Sequence, residues 1–215
     1  MILDFALLQE NSPIENLSQQ ACLRMEKYAR LLLETNQHLN LTSITDPRYV
    51  TLKHFGDSLS LSPFIPRGAK VLDLGTGGGF PGVPLLLVRE DIRVVFMDAR
   101  RKKLAFISDA LEEIGVDGTF LHSRAEDANR QEEHRRAYDV VTARAVASLP
   151  KLCQWALPFL RRGGVFLAMK GSTVHDETAD AAKILPKLGG EITGIFPVAL
   201  DKEIGERFIV RVEVN

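Results

Sequence analysis

Apolar residues recur at helical spacing early in the chain, at Leu17, Ala21, Met25, Tyr28 and Leu32, and predict a helix running down to Leu33. Ahead of it, Ser12-Pro13-Ile14-Glu15 has the form of a capping box with proline at the first helical position. Asp46-Pro47 opens a second, shorter helix through Val50, His54 and Leu59. From Val71 the pattern changes. Val71, Leu72 and Leu74 read as a buried strand, the glycines that follow as a tight turn, Phe80 to Glu90 as a helix and Arg93 to Met97 as a second strand. A helix from Arg100 to Ile114 carries an apolar stripe at Leu104, Ile107, Ala110, Leu111 and Ile114. Strands follow at Thr119 to His122, Tyr138 to Ala143 and Gly164 to Met169, separated by a helix from Leu149 to Leu160, and a further helix spans Val174 to Leu188. Strands at Glu191 to Val198 and Arg207 to Val214 complete the pattern. Strands that alternate with helices pair in parallel, whereas two joined by a short connection form an antiparallel hairpin. The expectation is an α/β fold with a seven-stranded, mostly parallel sheet, helices on both faces, an N-terminal helical extension over residues 1–66 and a core over 67–215.

Composition narrows this little. At 215 residues the chain is long enough for a sizeable core. Its apolar runs are short, so no membrane span is expected. The start, MILDFALLQE, has no basic residue and lacks the form of a signal peptide, which leads us to expect a cytoplasmic protein. A net charge of −1 does not suit a nucleic-acid binder as a whole, so any RNA contact must come from a local patch. Arg100, Arg101, Lys102 and Lys103 are one candidate: cations in a first helical turn oppose the helix dipole, and the cluster reads either as an RNA contact or as a solvated face. Cys22 and Cys153 stand alone and read as small buried hydrophobes. His54 and Asp57, one turn apart, have the spacing of a metal or catalytic pair but read rather as a helix contact to the core, and the remaining histidines lack ligand spacing, so no metal is expected. A monomer is expected.

The chemistry gathers around the first glycine turn. Asp73-x-Gly75-x-Gly77-x-Gly79 follows a strand and precedes a helix, a setting in which bare backbone approaches a ligand at the carboxyl ends of strands. An acid two residues ahead of the first glycine would repel a pyrophosphate but suits an ammonium. Asp98 closes the second strand at the distance where a carboxylate accepts hydrogen bonds from both ribose hydroxyls; capping the following helix is the competing reading. This spelling resembles the S-adenosylmethionine signature of Rossmann-like methyltransferases.

Longer runs resemble one family specifically. NQHLNLTSI at Asn36 to Ile44, HFGDSL at His54 to Leu59, the glycine stretch continuing into Phe80-Pro81-Gly82-Val83-Pro84, Arg124-Ala125-Glu126, Ala143-Arg144-Ala145-Val146 and Met169-Lys170-Gly171 are similar to ribosomal RNA small-subunit methyltransferase G, the glucose-inhibited division protein B family. The resemblance implies a Rossmann-like class I methyltransferase fold and methylation of guanine N7 in 16S ribosomal RNA. It also implies that Gly75, Thr76, Gly77, Gly79, Phe80, Ala125, Glu126 and Arg144 line an S-adenosyl-L-methionine pocket, with Asp73 at the aminoacyl end and Asp98 at the ribose. Arg144, at a strand's carboxyl end, is the candidate catalytic residue; an ion pair with Glu126 or Asp127 is the alternative.

The missing residues agree with that target. Cytosine C5 methylation needs an activated thiolate, and exocyclic amines are usually served by an Asn or Asp-Pro-Pro-aromatic turn where this chain has Ala143 to Val146. Guanine N7 carries an in-plane lone pair and no proton, so its methylation needs no general base. Two other classes share the pattern: a small-molecule methyltransferase, which requires an apolar lid where this chain has Asn36, Gln37, His38 and Asn40, and a nucleotide-binding oxidoreductase.

Overall fold

The computed structural model describes residues 1–14 and 16–215. Seven strands form one sheet: β1 (Lys70–Leu74), β2 (Arg93–Asp98), β3 (Thr119–His122), β4 (Tyr138–Arg144), β5 (Leu160–Lys170), β6 (Gly190–Pro197) and β7 (Phe208–Val214), in the order β3-β2-β1-β4-β5-β7-β6. The first five pair in parallel, and β7 inserts antiparallel between β5 and β6.

Alternation along the strands builds two cores, because successive side chains leave a sheet on opposite faces. Val71, Phe96, Val140 and Leu167 face one way, and Leu72, Val95, Val141 and Ala168 the other. The α-helices in chain order begin with α1 (Phe5–Glu10), α2 (Gln19–Leu39), α3 (Pro47–Tyr49), α4 (Asp57–Leu59), α5 (Gly82–Val88), α6 (Arg101–Ile114) and α7 (Ala125–Ala128), and the first face packs against α2, α5 and α6. The second packs against α8 (Leu149–Ala156) and α9 (Val174–Leu188). Leu3, Leu8, Met25, Tyr28 and Phe55 belong to the first cluster, so the N-terminal helices supply the layer over that face.

Several boundaries differ from the sequence expectation. Helix α2 begins at Gln19, not at Ser12: Ser18 is its cap, with Oγ accepting from Ala21 N at 3.1 Å, and Glu15 of the expected capping box lies outside the described residues. Helix α8 stops at Ala156, where Leu157–Phe159 turns as a 3-10 helix around Pro158, because a proline removes the donor that would continue the ladder. The second expected helix is three pieces: Pro47–Tyr49, a π-helical turn Val50–Gly56, and Asp57–Leu59. The antiparallel insertion of β7 matters for the site. Its register sets Phe208 opposite Lys170, so the amino end of the last strand reaches the carboxyl end of the fifth.

Candidate functional site

A cavity of about 1150 Å³ opens at the carboxyl ends of β1, β2, β4 and β5, where open α/β sheets bind ligands. Gly75, Thr76 and Gly77 form its floor, and Phe80, Asp98, Ala125, Glu126 and Arg144 contribute to its walls.

The turn is held from both ends. Gly75 N and Thr76 N both donate to Met97 O, at 2.8 and 3.0 Å, which latches the end of β1 to β2. Gly75 takes a positive φ of 72°, and a Cβ there would strike the Val146 methyl Cγ2 at 2.7 Å. Ala145, itself at φ 55°, is what turns Val146 back over the glycine. Asp98 Oδ2 accepts from Gly77 N at 3.0 Å and Oδ1 from Arg100 N at 2.8 Å. Asp98 is not the cap of α6, whose N-cap is Arg100 with no side-chain cap bond; it holds the turn into that helix instead. These bonds use two of the roughly four acceptor positions of a carboxylate, and Asp98 lines the cavity.

Asp73 and Gly79 do not lie on the cavity wall. Asp73 is fully buried beneath the turn. Its Oδ2 accepts from Thr76 Oγ1 at 2.6 Å and Gly82 N at 3.0 Å, and its Oδ1 from Thr142 Oγ1 at 3.0 Å. The expected ammonium contact is corrected: this carboxylate shapes the turn from behind, because β1 alternation points it toward the α5 side. Gly79 is pressed against Tyr28 of α2, whose hydroxyl donates to Gly78 O at 2.9 Å. Nothing local to the glycines announces that contact, since Tyr28 reads as an ordinary core position.

Arg144 meets neither Glu126 nor Asp127. Its Nη1 donates to Lys53 O at 2.5 Å and lies 3.3 Å from Asp57 Oδ2, and Nη2 lies 3.0 Å from His54 Nδ1. Burial lowers the Arg144 pKa from its ordinary value, and the Asp57 carboxylate opposes that. The mouth also gathers Lys53, Arg100, Lys103, Arg124 and Arg207, of which Lys53 and Arg207 had no sequence signal. Arg101 and Lys102 point to solvent. Asn36 is not an open polar wall: its Oδ1 accepts from Leu41 N and Thr42 N and its Nδ2 donates to Thr42 O, shaping the loop that borders the cavity. Among the described residues no group of three or more His, Cys, Asp or Glu is placed to hold a metal, and no helix is long and apolar enough to cross a membrane.

Two buried groups oppose each other in their effect on stability with pH. Burial, reinforced by Arg144, lowers His54 from 6.5 to about 3. Its contribution is complete above pH 6.5, where the unfolded chain is also neutral, and is lost as pH falls toward 3. Burial raises Asp73 from 3.8 to about 6 against its hydrogen bonds. Its contribution is complete below pH 3.8 and is lost as pH rises through about 6. Near pH 5 each slope is about 1.4 kcal/mol per unit, with opposite sign. Urea unfolding at about pH 4.5 and 5.5 should therefore show wild type gaining roughly 1.4 kcal/mol on His54→Asn over that unit; a constant gap means that the folded protein carries a charged His54.

Comparison with known proteins follows the same lines. Residues 21–197 match the GidB family model, described as rRNA small subunit methyltransferase G. The ribosomal RNA small subunit methyltransferase G of Desulforamulus reducens is 40% identical over 188 residues, covering 86% of this chain and 78% of its own. That of Geobacillus thermodenitrificans is 39% identical over 211 residues, covering 97% and 88%. Among solved structures, a SAM dependent methyltransferase from Aquifex aeolicus superposes with a TM-score of 0.60 at 16% identity, covering 82% of this chain and 97% of that one, which is a likeness of fold. A family model spanning most of the chain and relatives of this identity over nearly its full length have one consequence: the chain belongs to the rRNA small subunit methyltransferase G family.

Proposed function

We propose that the protein transfers a methyl group from S-adenosylmethionine to N7 of a guanine in 16S ribosomal RNA. The observation that carries the reading is the pairing of Asp98 with the glycine turn: a carboxylate with acceptor capacity left, anchored to Gly77 N and facing a cavity floored by bare backbone. A side chain at Gly77 would project toward Lys103 Nζ, 3.8 Å away, across space that a bound aminoacyl group needs. S-adenosylmethionine, when bound, supplies an electrophilic methyl group on a sulfonium.

The chain's own residues then bind and orient. Asp98 takes the ribose hydroxyls, Ala125 and Glu126 border the nucleobase side, and Gly75, Thr76 and Gly77 cradle the aminoacyl end, with Asp73 and Gly79 holding the turn in shape. Phe80 closes the wall beneath Arg144. No side chain need remove a proton from guanine N7, so the work is positioning and exclusion of water. The thiols support this reading: burial raises the pKa of Cys22, and pushes Cys153 up to about 12, so neither is the thiolate that a pyrimidine C5 mechanism requires.

The deciding experiment is to map where a labelled methyl group lands after incubation with 16S rRNA and small subunits from cells lacking this protein. A label at guanine N7 supports the reading, and a label on an amine or a pyrimidine overturns the target. Binding of S-adenosylhomocysteine against NAD separates it from an oxidoreductase. The cations at the mouth lead to a further expectation, since a net charge of −1 leaves RNA affinity to them. Replacing Arg100 and Lys103 together should flatten the salt dependence of RNA affinity by about one to two units of slope. If affinity and slope both survive, the cluster is a solvated face.

A further inference from the structure

The π-helical turn Val50–Gly56 has a specific consequence at the site. In a regular α-helix the N–H of Asp57 would bond the carbonyl four residues back, that of Lys53. Here it bonds Leu52 O and His54 O instead. The Lys53 carbonyl therefore does not take the Asp57 N–H, and Arg144 Nη1 donates to it at 2.5 Å. Such single π turns are uncommon and concentrate at functional sites.

His54 supplies the second anchor. An arginine has no acceptor, so the 3.0 Å approach of Nη2 to His54 Nδ1 requires an unprotonated Nδ1. The ring proton is then on Nε2, which lies 2.8 Å from Thr42 Oγ1. The ring stacks on Phe80 at 4.3 Å between centroids and 9° between planes, and the Arg144 guanidinium carbon sits 5.2 Å above the same phenyl ring. Asp57 Oδ2, buried and 3.3 Å from Nη1, balances the charge. The guanidinium thus has a stacked face and three partners, all from one seven-residue turn and the residue after it.

Resting on the function proposed above, we propose that His54 is a positioning residue for methyl transfer: its neutral imidazole, fixed by Thr42 and Phe80, presents Nδ1 to hold the Arg144 guanidinium in a seat that the π turn creates. Asp57 and the Lys53 carbonyl complete that seat. Arg144 faces the cavity from it with its Nε–H and one Nη2–H not engaged by these partners. The target nucleotide meets a fixed fork of donors rather than a mobile side chain.

Two substitutions separate positioning from packing. His54→Asn keeps an acceptor near the place of Nδ1 and loses the ring; His54→Phe keeps the ring and loses the acceptor. Positioning predicts that His54→Phe lowers the single-turnover rate of methyl transfer to rRNA by about 100-fold, with S-adenosylhomocysteine affinity within about threefold, and that His54→Asn stays within about tenfold of wild type. In an Arg144→Ala background, His54→Phe should cost nothing further, because the group it positions is gone. The opposite order, Phe active and Asn inactive, or losses that add to that of Arg144→Ala, overturns the proposal and leaves Arg144 in place. Full activity of Arg144→Ala alone overturns the site reading and the proposal with it. Should His54→Phe fail to fold in a thermal melt, His54→Asn decides: a loss as large as that of Arg144→Ala refutes positioning.

Discussion

Asp98→Ala should weaken S-adenosylhomocysteine binding by about 100- to 10,000-fold while the protein still folds. The carboxylate closes β2 at the cavity wall, where Gly77 N and Arg100 N each take one of its oxygens. Two ribose hydroxyls would bond the remaining acceptor positions. A hydrogen bond to a charged group is worth about 1.5–3 kcal/mol, so two amount to about 3–6 kcal/mol, and each 1.4 kcal/mol is tenfold. Loss of the bonds to Gly77 N and Arg100 N, where water can replace the carboxylate, costs roughly 1–3 kcal/mol, below the roughly 5–15 kcal/mol that holds a domain folded. Calorimetric titration beside a thermal melt separates the two roles. A lowered melting temperature with unchanged affinity would leave Asp98 only its turn-holding bonds and sink the ribose assignment.

The second large effect belongs to Arg144. Arg144→Ala should slow single-turnover methyl transfer by about 100-fold or more, and Arg144→Lys nearly as much. A lysine keeps the charge, but its compact ammonium cannot match the planar fork that spans Lys53 O, Asp57 and His54. The residue cannot act as a base, because a guanidinium stays protonated. Its charge is also unhelpful next to a ring nitrogen that gains positive charge on attack, and the pairing with Asp57 at 3.3 Å offsets that. The other candidates for a base do not change charge above neutrality: burial lowers His54 to about 3 and raises Asp73 to about 6. The rate should therefore be flat between about pH 7 and 9. A tenfold rise per pH unit would show that a proton must leave, and would turn attention to an amine target.

Most of the architecture was legible in the sequence because its signals are local. Alternation at Val71, Leu72 and Leu74, the glycines after them and the stripe along α6 each depend on residues within a few turns of one another, and strand-helix alternation then leaves few topologies. The position of Asp98 beside the glycine turn was legible for the same reason: the β-α-β unit carries it there in a single step along the chain. The rest was decided by packing between distant segments. Only the antiparallel insertion of β7 brings Arg207 to the end of β5, and Tyr28 meets the turn only because α2 closes that face of the sheet. Asp73 had the right spacing and faces away from the cavity, because the pleat of β1 sets its direction and spacing alone does not. Arg144 was placed at the site by its strand, but its partners come from a π turn 90 residues earlier that nothing local to β4 announces. Local pattern decides which elements form and where the backbone presents a site. The state of a side chain in that site, paired or free, buried or open, is set by residues that only the tertiary fold brings near.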